Sequence, residues 1–461
     1  MRLLLVTDAY PPLIGGADRQ TQMLAAAMSA AGHDVAVATP WQPGLLKLEL
    51  EGRVEVFRFR GLVERIPGFA GDPARHHHPP FPDPLMSLRL RRLVRRFRPD
   101  VVHSYGWISY SMAVALIGTG VPMVLSARDY GSICAVRNLL HVSGALCSGP
   151  APLKCLACAS ATYATEAAGN AVQGRSGQPI GFRHRLLGGA KGIAAVGGVY
   201  LGQPLLRHGL RELHAASRFV REVMARHLLR GSAGRIPTVV IPNFVRETAE
   251  GSAEASVLDR LPAEPFILFV GALIPGKGIW PLLEAYRRVR GASPATAAPP
   301  LVLLGPTTPK SPSSLPAGVL AVGSGSQATV LAAWDRALFG VVPSVVAETF
   351  GNVVTEGMSR GRAIVASRIG GIVDIIEDGR SGLLVPPGEP AALADVMQRL
   401  IDEPDLRTAL GAGARRRVER FAASRVLPDY EALYARAAAP ARTADPDPDP
   451  TAGQPHREGL G

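Results

Sequence analysis

"MRLLLVTDAYPPLIGGADRQTQMLAAAMSAAGHDVAVATP", residues 1–40, is the stretch that decides the fold. Its apolar run RLLLVTD (2–8) has the length and composition of a buried strand, and a loop with prolines and glycines follows it. TQMLAAAMSAAG (21–32) has the pattern of a helix that ends at a glycine, and DVAVATP (34–40) has that of a second strand. Strand, loop, helix and strand in this order form a βαβ unit, which predicts a parallel sheet.

The same pattern recurs along the rest of the chain. Further strands are predicted at 100–105, 122–130 and 238–244, and a second series begins with PFILFVGAL (265–273). The sequence therefore predicts an α/β protein with two doubly wound, Rossmann-like domains. The expected segments are an N-terminal domain (1–245), a linker (246–261), a C-terminal domain (262–425), a final helix (426–438) and a disordered tail (439–461).

The composition is that of a folded protein with excess positive charge. Of the 461 residues, 47% are hydrophobic and 19% charged, and the formal net charge is +12. This charge suits nucleotides, phosphates or acidic lipids, whereas nucleic acid is not expected, because no aromatic platform or reader motif accompanies it. The N-terminus lacks the pattern of a signal peptide, so we expect a cytoplasmic protein whose only membrane contact would be peripheral, on the inner face.

Ligands of open α/β sheets bind beyond the carboxyl ends of the strands. With two such domains in one chain, the natural site is the cleft between them. The sequence therefore predicts that four loops form the walls of this cleft, at 8–18, 103–110, 271–278 and 343–353.

VVPSVVAETFGNVVTE (341–356) reads as a strand, a loop and the start of a helix. Gly351 or Asn352 can cap this helix, and the N–H groups of its first turn would favour a phosphate. Glu348 precedes the helix and Glu356 lies within its first turns. The alternative is an ordinary capped helix with a solvated glutamate, and the stretch alone does not decide between them.

The order of motifs resembles that of family 4 glycosyltransferases of the GT-B fold. The resemblance rests on Pro343-Ser344, Glu348, Phe350-Gly351, Glu356 and Gly370-Gly371, and on the opening loop TDAYPPLIGGADRQ (7–20). It covers nearly all of residues 1–435. It implies a two-domain GT-B fold whose final helix crosses back to the N-terminal domain.

The resemblance also implies an activity and a site. Such enzymes transfer a sugar from a nucleotide diphosphate-sugar to an acceptor with retention at the anomeric carbon, and no cofactor is required for the transfer. By this resemblance Glu348 binds hydroxyls of the donor sugar, Glu356 binds the ribose, and Lys277 pairs with the phosphates. Diphosphate contacts are implied for Gly15, Gly16 and the backbone of Phe350, Gly351, Asn352 and Val353. The acceptor would be a sugar, a lipid-linked molecule or a small molecule.

The sequence departs from the family pattern at two positions. Ala272 stands where an arginine is usual, so one phosphate-binding cation is missing. Arg128 stands where a histidine near the reacting sugar is usual, and it could supply a cation to the donor instead. His103 at the end of a strand is a further catalytic candidate, although a lone strand-end histidine is more often structural.

All four cysteines fall within one short insertion, at Cys134, Cys147, Cys155 and Cys158. Their clustering and the close Cys-x-x-Cys pair favour a structural zinc or an iron–sulfur cluster over free thiols. Such a metal would shape the acceptor side of the site without performing the transfer.

Three further interpretations stay open at this stage. The helix RLRRLVRRFRP (89–99) carries six arginines, which either stay in water or contact anionic lipid or an acidic acceptor. The histidines at 76–78 are expected in a flexible loop.

The alternative functions are a GT-B nucleotide-sugar epimerase and a non-catalytic partner protein that binds nucleotide sugars or metal.

Overall fold

Two separate parallel sheets organise the chain. The computed structural model describes residues 1–12, 16–63, 78–171, 182–232, 234–245, 252–292 and 298–440. One sheet is built from the N-terminal half of these residues and the other from the C-terminal half. The predicted α/β class with two Rossmann-like domains is therefore confirmed. Gly15, His76, His77 and residues 441–461 of the expected tail lie outside the described residues.

The N-terminal sheet, as far as the structure describes it, contains eight strands. They are β1 (Arg2–Thr7), β2 (Asp34–Pro40), β3 (Leu48–Glu51), β4 (Val54–Phe59), β5 (Val101–Tyr105), β6 (Met123–Ala127), β7 (Leu210–Ala215) and β8 (Thr238–Val240). Their order is β3-β4-β2-β1-β5-β6-β7-β8, and every pair except β3 with β4 is parallel. The direction of winding reverses between β1 and β5.

Among the described residues, six helices of the N-terminal half accompany this sheet. They are α1 (Gly16–Ala30), α2 (Pro84–Phe97), α3 (Ile108–Leu116), α4 (Pro152–Ala171), α5 (Phe182–Gly209) and α6 (Arg218–His227). The arginine-rich α2 buries Leu90, Leu93 and Val94. Some of its arginines are engaged by the protein itself, since Arg91 donates to the carbonyl oxygens of Ala115 and Ile117.

The C-terminal sheet has the strand order 3-2-1-4-5-6 of a dinucleotide-binding fold. Its six strands are β9 (Phe266–Val270), β10 (Leu301–Leu304), β11 (Val319–Gly323), β12 (Ala337–Val342), β13 (Ile364–Ser367) and β14 (Leu383–Val385). All its pairs are parallel. The helices of this half are α7 (Ala255–Leu258), α8 (Ile279–Ala292), α9 (Gln327–Arg336), α10 (Asn352–Ser359), α11 (Ile372–Ile375), α12 (Pro390–Asp402), α13 (Pro404–Val418) and α14 (Ala423–Ala438).

Strand β1 shows why the apolar runs become central strands. Leu4 and Val6 belong to one buried cluster, whereas Leu3 and Leu5 belong to another on the opposite side of the sheet. A parallel sheet covered on both faces requires apolar side chains at every position of the strand, which is the pattern of RLLLVT.

Helix α14 packs against the N-terminal sheet although it follows the C-terminal domain in sequence. Tyr430, Leu433 and Tyr434 are buried in the same cluster as Leu3 and Leu5. The Tyr434 hydroxyl lies 2.8 Å from Nδ1 of His103 on β5. The helix therefore completes the hydrophobic core of the other domain.

A long helical hairpin stands between β6 and β7. The antiparallel helices α4 and α5 pack closely, since a Cβ added at Gly188 would lie 2.5 Å from the backbone nitrogen of Ala164. The sequence predicted only a cysteine-bearing insertion at 134–158, and the second helix was missed because its glycines resemble helix breakers. Among the described residues, no helix is both long enough and apolar enough to cross a membrane.

The packing of α14 predicts a large loss of stability in Tyr434→Ala. Removing a buried aromatic ring costs about 3–5 kcal/mol. Tyr434→Phe keeps the ring and loses the hydrogen bond to His103, which costs about 1 kcal/mol. Scanning calorimetry should show a much lower unfolding temperature for the alanine variant than for the phenylalanine variant. Equal, small shifts in both would show that α14 contributes little to the N-terminal core.

Candidate functional site

The loop between β12 and α10 holds Glu348 in an ion pair. Its Oε1 accepts a hydrogen bond from Lys277 Nζ at 2.7 Å and another from Ser344 Oγ at 2.7 Å. Lys277 ends a 3₁₀ turn after β9, and Ser344 follows β12. Because β9 and β12 are neighbouring parallel strands, the pair lies beyond their carboxyl ends, at the point where the winding of the sheet reverses.

Backbone contacts fix the two loops to each other. The N–H groups of Val345 and Val346 donate to the carbonyl oxygen of Gly276, at 3.0 and 3.2 Å. Gly278 has a φ of +77° and lies against the carbonyl of Pro343, so that any Cβ there would collide with it. The position of Lys277 is thus determined by backbone geometry as well as by its charge.

Gly370 and Gly371 press against the loop that carries Glu348. Gly370 has a φ of +58°, and a Cβ there would lie 2.7 Å from the backbone nitrogen of Glu348. The Gly371 N–H donates to the Glu348 carbonyl oxygen at 2.7 Å. Only glycine fits both the conformation and the space at position 370.

The environment of Glu348 favours its ionised form. Burial raises the pKa of this carboxyl, but the positive charge of Lys277 and the hydrogen bonds from Lys277 and Ser344 outweigh burial, so that the pKa is lowered overall. Glu348 is therefore a fixed negative charge at neutral pH.

Helix α10 begins directly after this loop, with Gly351 as its N-cap. Of the two capping candidates, the structure thus uses Gly351, and the Asn352 side chain instead accepts a hydrogen bond from Asn243 Nδ2 of the N-terminal domain at 2.9 Å. The first turn of a helix leaves N–H groups without helical partners, and at this helix those of Asn352 and Val353 belong to that turn. Phe350 is buried and packs edge-to-face on Phe421, so only its backbone is placed to contact a ligand.

Glu356 lies one turn into α10 and faces the other domain. Burial raises the pKa of its carboxyl, while a hydrogen bond from Gln327 and the charge of Arg19 on α1 lower the pKa by less. The two glutamates of this stretch therefore differ in electrostatics, since the pKa of Glu348 is lowered and that of Glu356 is raised.

The N-terminal wall contains charged residues that the sequence reasoning missed. Asp8, at the end of β1, accepts hydrogen bonds from the N–H groups of Trp107 and Ile108 at the start of α3, at 2.8 and 2.7 Å. Arg137 lies between Asp8, at 3.0 Å, and Asp129, to which its Nε donates at 2.8 Å. Asp8 could have been identified from the sequence, because it directly follows a strand. No neighbouring residue pattern indicated Arg137 as a candidate.

The two domains touch through the loops that carry the candidate residues. The Tyr130 hydroxyl donates to the Ala347 carbonyl oxygen at 2.9 Å, and the Thr349 hydroxyl donates to the Arg128 carbonyl oxygen at 3.0 Å. These bonds bring the segments 128–130 and 347–349 together. The expected loop after β12 therefore faces the N-terminal domain at the loop after β6.

The side chain of Arg128 turns into the N-terminal domain. It is buried, its Nη1 donates to Thr21 Oγ1 at 2.9 Å, and its guanidinium lies 4.3 Å from the ring centre of Tyr105. Tyr430 of α14 also lies close enough to interact with it electrostatically. In this arrangement its contacts are with α1, β5 and α14, and a direct role toward the donor stays a prediction.

His103 lies in a buried network at the centre of the same sheet. Its Nδ1 lies 2.8 Å from the hydroxyls of Tyr105 and Tyr434, and its Nε2 lies 2.8 Å from Ser126 Oγ. Ser126 in turn contacts His214. Burial and the neighbouring positive groups hold the pKa of His103 well below its usual value, so it stays neutral. These contacts are those of a structural residue, and its catalytic role stays a prediction.

Gly15, Gly16 and Ala272 are the other positions that the family resemblance singles out. Gly16 is the first residue of α1, while Gly15 lies outside the described residues. Ala272 follows β9, and its carbonyl oxygen accepts from the Ile274 N–H at 2.8 Å.

The four cysteines do not form a metal-binding set in the structure. No group of three or more His, Cys, Asp or Glu side chains among the described residues is arranged to hold a metal ion. Cys155 Sγ accepts from the Ala151 N–H at 3.3 Å, and Cys147 Sγ donates to the Gly149 carbonyl oxygen at 3.4 Å. Cys134 and Cys158 are also free thiols. The zinc or iron–sulfur prediction lacks this geometric support and stays a prediction.

Comparison with known families agrees with the two-sheet architecture. A family model described as Glycosyltransferase Family 4 matches residues 14–138, and one described as Glycosyl transferases group 1 matches residues 264–403. Together they match more than half of the chain, with one model on each domain. The chain belongs to the family 4 glycosyltransferases. The second model spans Lys277, Glu348 and Glu356, so these residues of the family 4 chain lie inside the matched region.

Individual relatives show how far the similarity extends. A D-inositol 3-phosphate glycosyltransferase of Jonesia denitrificans is 31% identical over 194 residues, which are 40% of this chain and 46% of the relative. The chain thus matches less than half the length of that protein. A glycogen synthase of Mycobacterium tuberculosis is 27% identical over 94% of this chain and 91% of its own length. A solved sucrose-phosphate synthase from Thermosynechococcus elongatus has the same fold, with a TM-score of 0.64 at 19% identity, covering 94% of this chain and 98% of its own.

The opposite pKa shifts of the two glutamates predict opposite effects of glutamine substitution on stability. The ionised Glu348 contributes stability above its ordinary pKa of 4.5, and that contribution is lost as the pH falls through its lowered folded value. Glu356 contributes stability below pH 4.5, where its buried carboxyl is neutral. That contribution is lost as the pH rises through the raised pKa of this carboxyl in the folded state. At neutral pH, Glu348→Gln should therefore lower the unfolding temperature and Glu356→Gln should raise it.

Thermal unfolding of both variants from acidic to neutral pH checks this prediction. Both differences from the wild type should shrink as the pH approaches the acidic end. Differences of the same sign at neutral pH, or differences that do not depend on pH, would contradict the electrostatic assignment.

Proposed function

We propose that this family 4 chain is a glycosyltransferase that uses a nucleotide diphosphate-sugar donor and retains the configuration at the anomeric carbon. The observation that carries the proposal is the Lys277–Glu348 pair at the start of α10, beyond the carboxyl ends of β9 and β12. A cation, a helix start and a fixed carboxylate meet there, which suits a diphosphate joined to a sugar.

The donor would exchange the ion pair for contacts with itself. A bound diphosphate attracts Lys277 away from Glu348, because phosphate carries more negative charge than one carboxylate. Glu348 is then left to accept hydrogen bonds from sugar hydroxyls, still held by Ser344. Glu356 would accept hydrogen bonds from the ribose hydroxyls, and the first-turn N–H groups of α10 would donate to the diphosphate.

The proposed reaction is a front-face displacement. The acceptor oxygen forms a bond to the anomeric carbon while the bond from that carbon to the phosphate oxygen breaks, and the acceptor proton passes to the leaving phosphate oxygen. Negative charge grows on the diphosphate in the transition state, so Lys277 and the helix N–H groups stabilise that state most. No cofactor takes part in this scheme.

The N-terminal side of the site bears on the acceptor. The acceptor is proposed to lie on the N-terminal side, where Asp8, Asp129 and Arg137 form a charged wall. The names of the two sequence relatives described above refer to an inositol phosphate and to glycogen. We propose an acceptor of this hydroxyl-rich class, with its exact identity set by the N-terminal loops.

Removal of the cation tests the role of Lys277. Lys277→Met should lower kcat by about 10²–10³-fold, as expected when one group that stabilises transition-state charge is lost. Glu348→Gln should lower kcat/KM by about ten- to a hundred-fold, because a hydrogen bond to a charged acceptor becomes a neutral one. Lys47→Met, on the N-terminal domain, is the matched control and should leave turnover unchanged.

The measurement is release of nucleoside diphosphate from UDP-, GDP-, ADP- and dTDP-sugars in the presence of sugar and inositol phosphate acceptors. A thermal-shift screen with the same donors first identifies the base, since a ligand that binds the native state raises its apparent stability. Product NMR then reads the anomeric configuration. An inverted product would refute retention, and tight donor binding without turnover for any acceptor would favour a non-catalytic binding protein. A nucleotide-sugar epimerase would convert the donor sugar without needing an acceptor.

A further inference from the structure

Helix α5 exposes several large apolar side chains to solvent. Leu186, Ile193 and Leu201 are 64%, 61% and 83% exposed, whereas Val199 and Leu206 of the same helix are buried. Helices of water-soluble domains normally turn such residues toward the core. The packed faces of α5 carry glycines together with the buried Val199 and Leu206.

The glycines show that this orientation is fixed by packing. A Cβ at Gly188 or Gly192 would collide with the backbone of Ala164 or Ser160 on α4. A Cβ at Gly198 would collide with Pro80. Because these close contacts fix the orientation of α5, the helix cannot rotate to bury Leu186, Ile193 and Leu201 in the protein.

The exposed residues form one stripe along the helix. At about 100° per residue, positions 186, 193, 197, 201 and 204 fall within roughly one third of the helix circumference. The paired helix adds to this surface at one end. Cys155 on α4 lies opposite Tyr200, so Leu153, which is 83% exposed, lies at the same end of the hairpin as Leu201.

An apolar groove runs beside the stripe. It has a volume of about 470 Å³ and lies between α5 and the segment Phe81–Pro82. Ile193, Leu201 and Leu205 line its helical side. The surface thus offers both protruding leucines and an apolar recess next to them.

The charge of the hairpin is positive. Residues 150–209 include six lysines and arginines and a single acidic residue, Glu166. By helix geometry Arg185 and Lys191 lie on opposite sides of the stripe, each roughly 80° beyond its edge. Apolar side chains flanked by cations are the pattern of a helix that lies in the interface of an anionic membrane.

We propose that the α4–α5 hairpin docks the protein on the surface of a membrane that contains anionic phospholipid. Leu153, Leu186, Ile193 and Leu201 would insert among the lipid chains, and Arg185 and Lys191 would contact the headgroups. This proposal differs from a role for the arginine-rich α2, where Arg91 is held by backbone carbonyls of the protein. It does not depend on the proposed transferase activity.

Vesicle co-sedimentation of the full chain tests the proposal. The protein should bind vesicles of phosphatidylcholine with phosphatidylglycerol and bind vesicles of pure phosphatidylcholine much more weakly. The double substitution Ile193→Ser and Leu201→Ser should lower partitioning to the anionic vesicles by about tenfold or more. The matched control replaces Leu46 and Leu320, which are exposed elsewhere by 68% and 43%, with serine and should bind as the wild type does.

A second measurement locates the contact. Tryptophan fluorescence of Leu201→Trp should be quenched by lipids brominated on their acyl chains, and that of Leu46→Trp should give a smaller change. Equal vesicle binding by the hairpin variant and the wild type would overturn the proposal. So would a wild-type dimer that the hairpin substitutions dissociate, combined with no vesicle binding, since the stripe would then contact a second copy of the chain.

Discussion

The Lys277–Glu348 ion pair joins two loops that leave neighbouring strands of one sheet. The pair forms because β9 and β12 are parallel and adjacent, so their following loops emerge on the same edge. The close contact of Gly278 with Pro343 holds those two loops together, and that of Gly370 with Glu348 packs the loop after β13 against them. The start of α10, the two differently tuned glutamates and the contact with the N-terminal domain all depend on this arrangement.

The N-terminal domain contains a layer of buried polar side chains that contact one another across adjacent strands. His103, Ser126 and His214 lie on three adjacent strands, β5, β6 and β7, and the tyrosines of α14 cover them. Burial lowers the pKa of His214 to about 3, so both histidines stay neutral and accept or donate within the network. Arg128 is drawn into this layer by Tyr105 and Tyr430, which explains why its side chain leaves the loop that touches Thr349.

The sequence allowed prediction of the central strands and of the loops 271–278 and 343–353 that follow β9 and β12, because short apolar runs and the loops after them form local patterns. The ion pair between Lys277 and Glu348 was not predicted. Strand β3, with the sequence LELE, was missed because it is a fully exposed edge strand without an apolar run. Helix α5 was missed because its glycines matter only once α4 lies beside it. Arg137 escaped notice since its role depends on Asp8 and Asp129, and contacts between distant segments leave no periodic signal.

The covering of the N-terminal sheet by α14 has a consequence for the order of assembly. His103 and its partner Tyr434 are 331 residues apart in the chain. During synthesis from the N-terminus, the first sheet emerges long before the helix that closes its polar layer. One side of the first domain's core therefore stays exposed to solvent or to a chaperone until the second domain has been synthesised and α14 has packed on the first sheet.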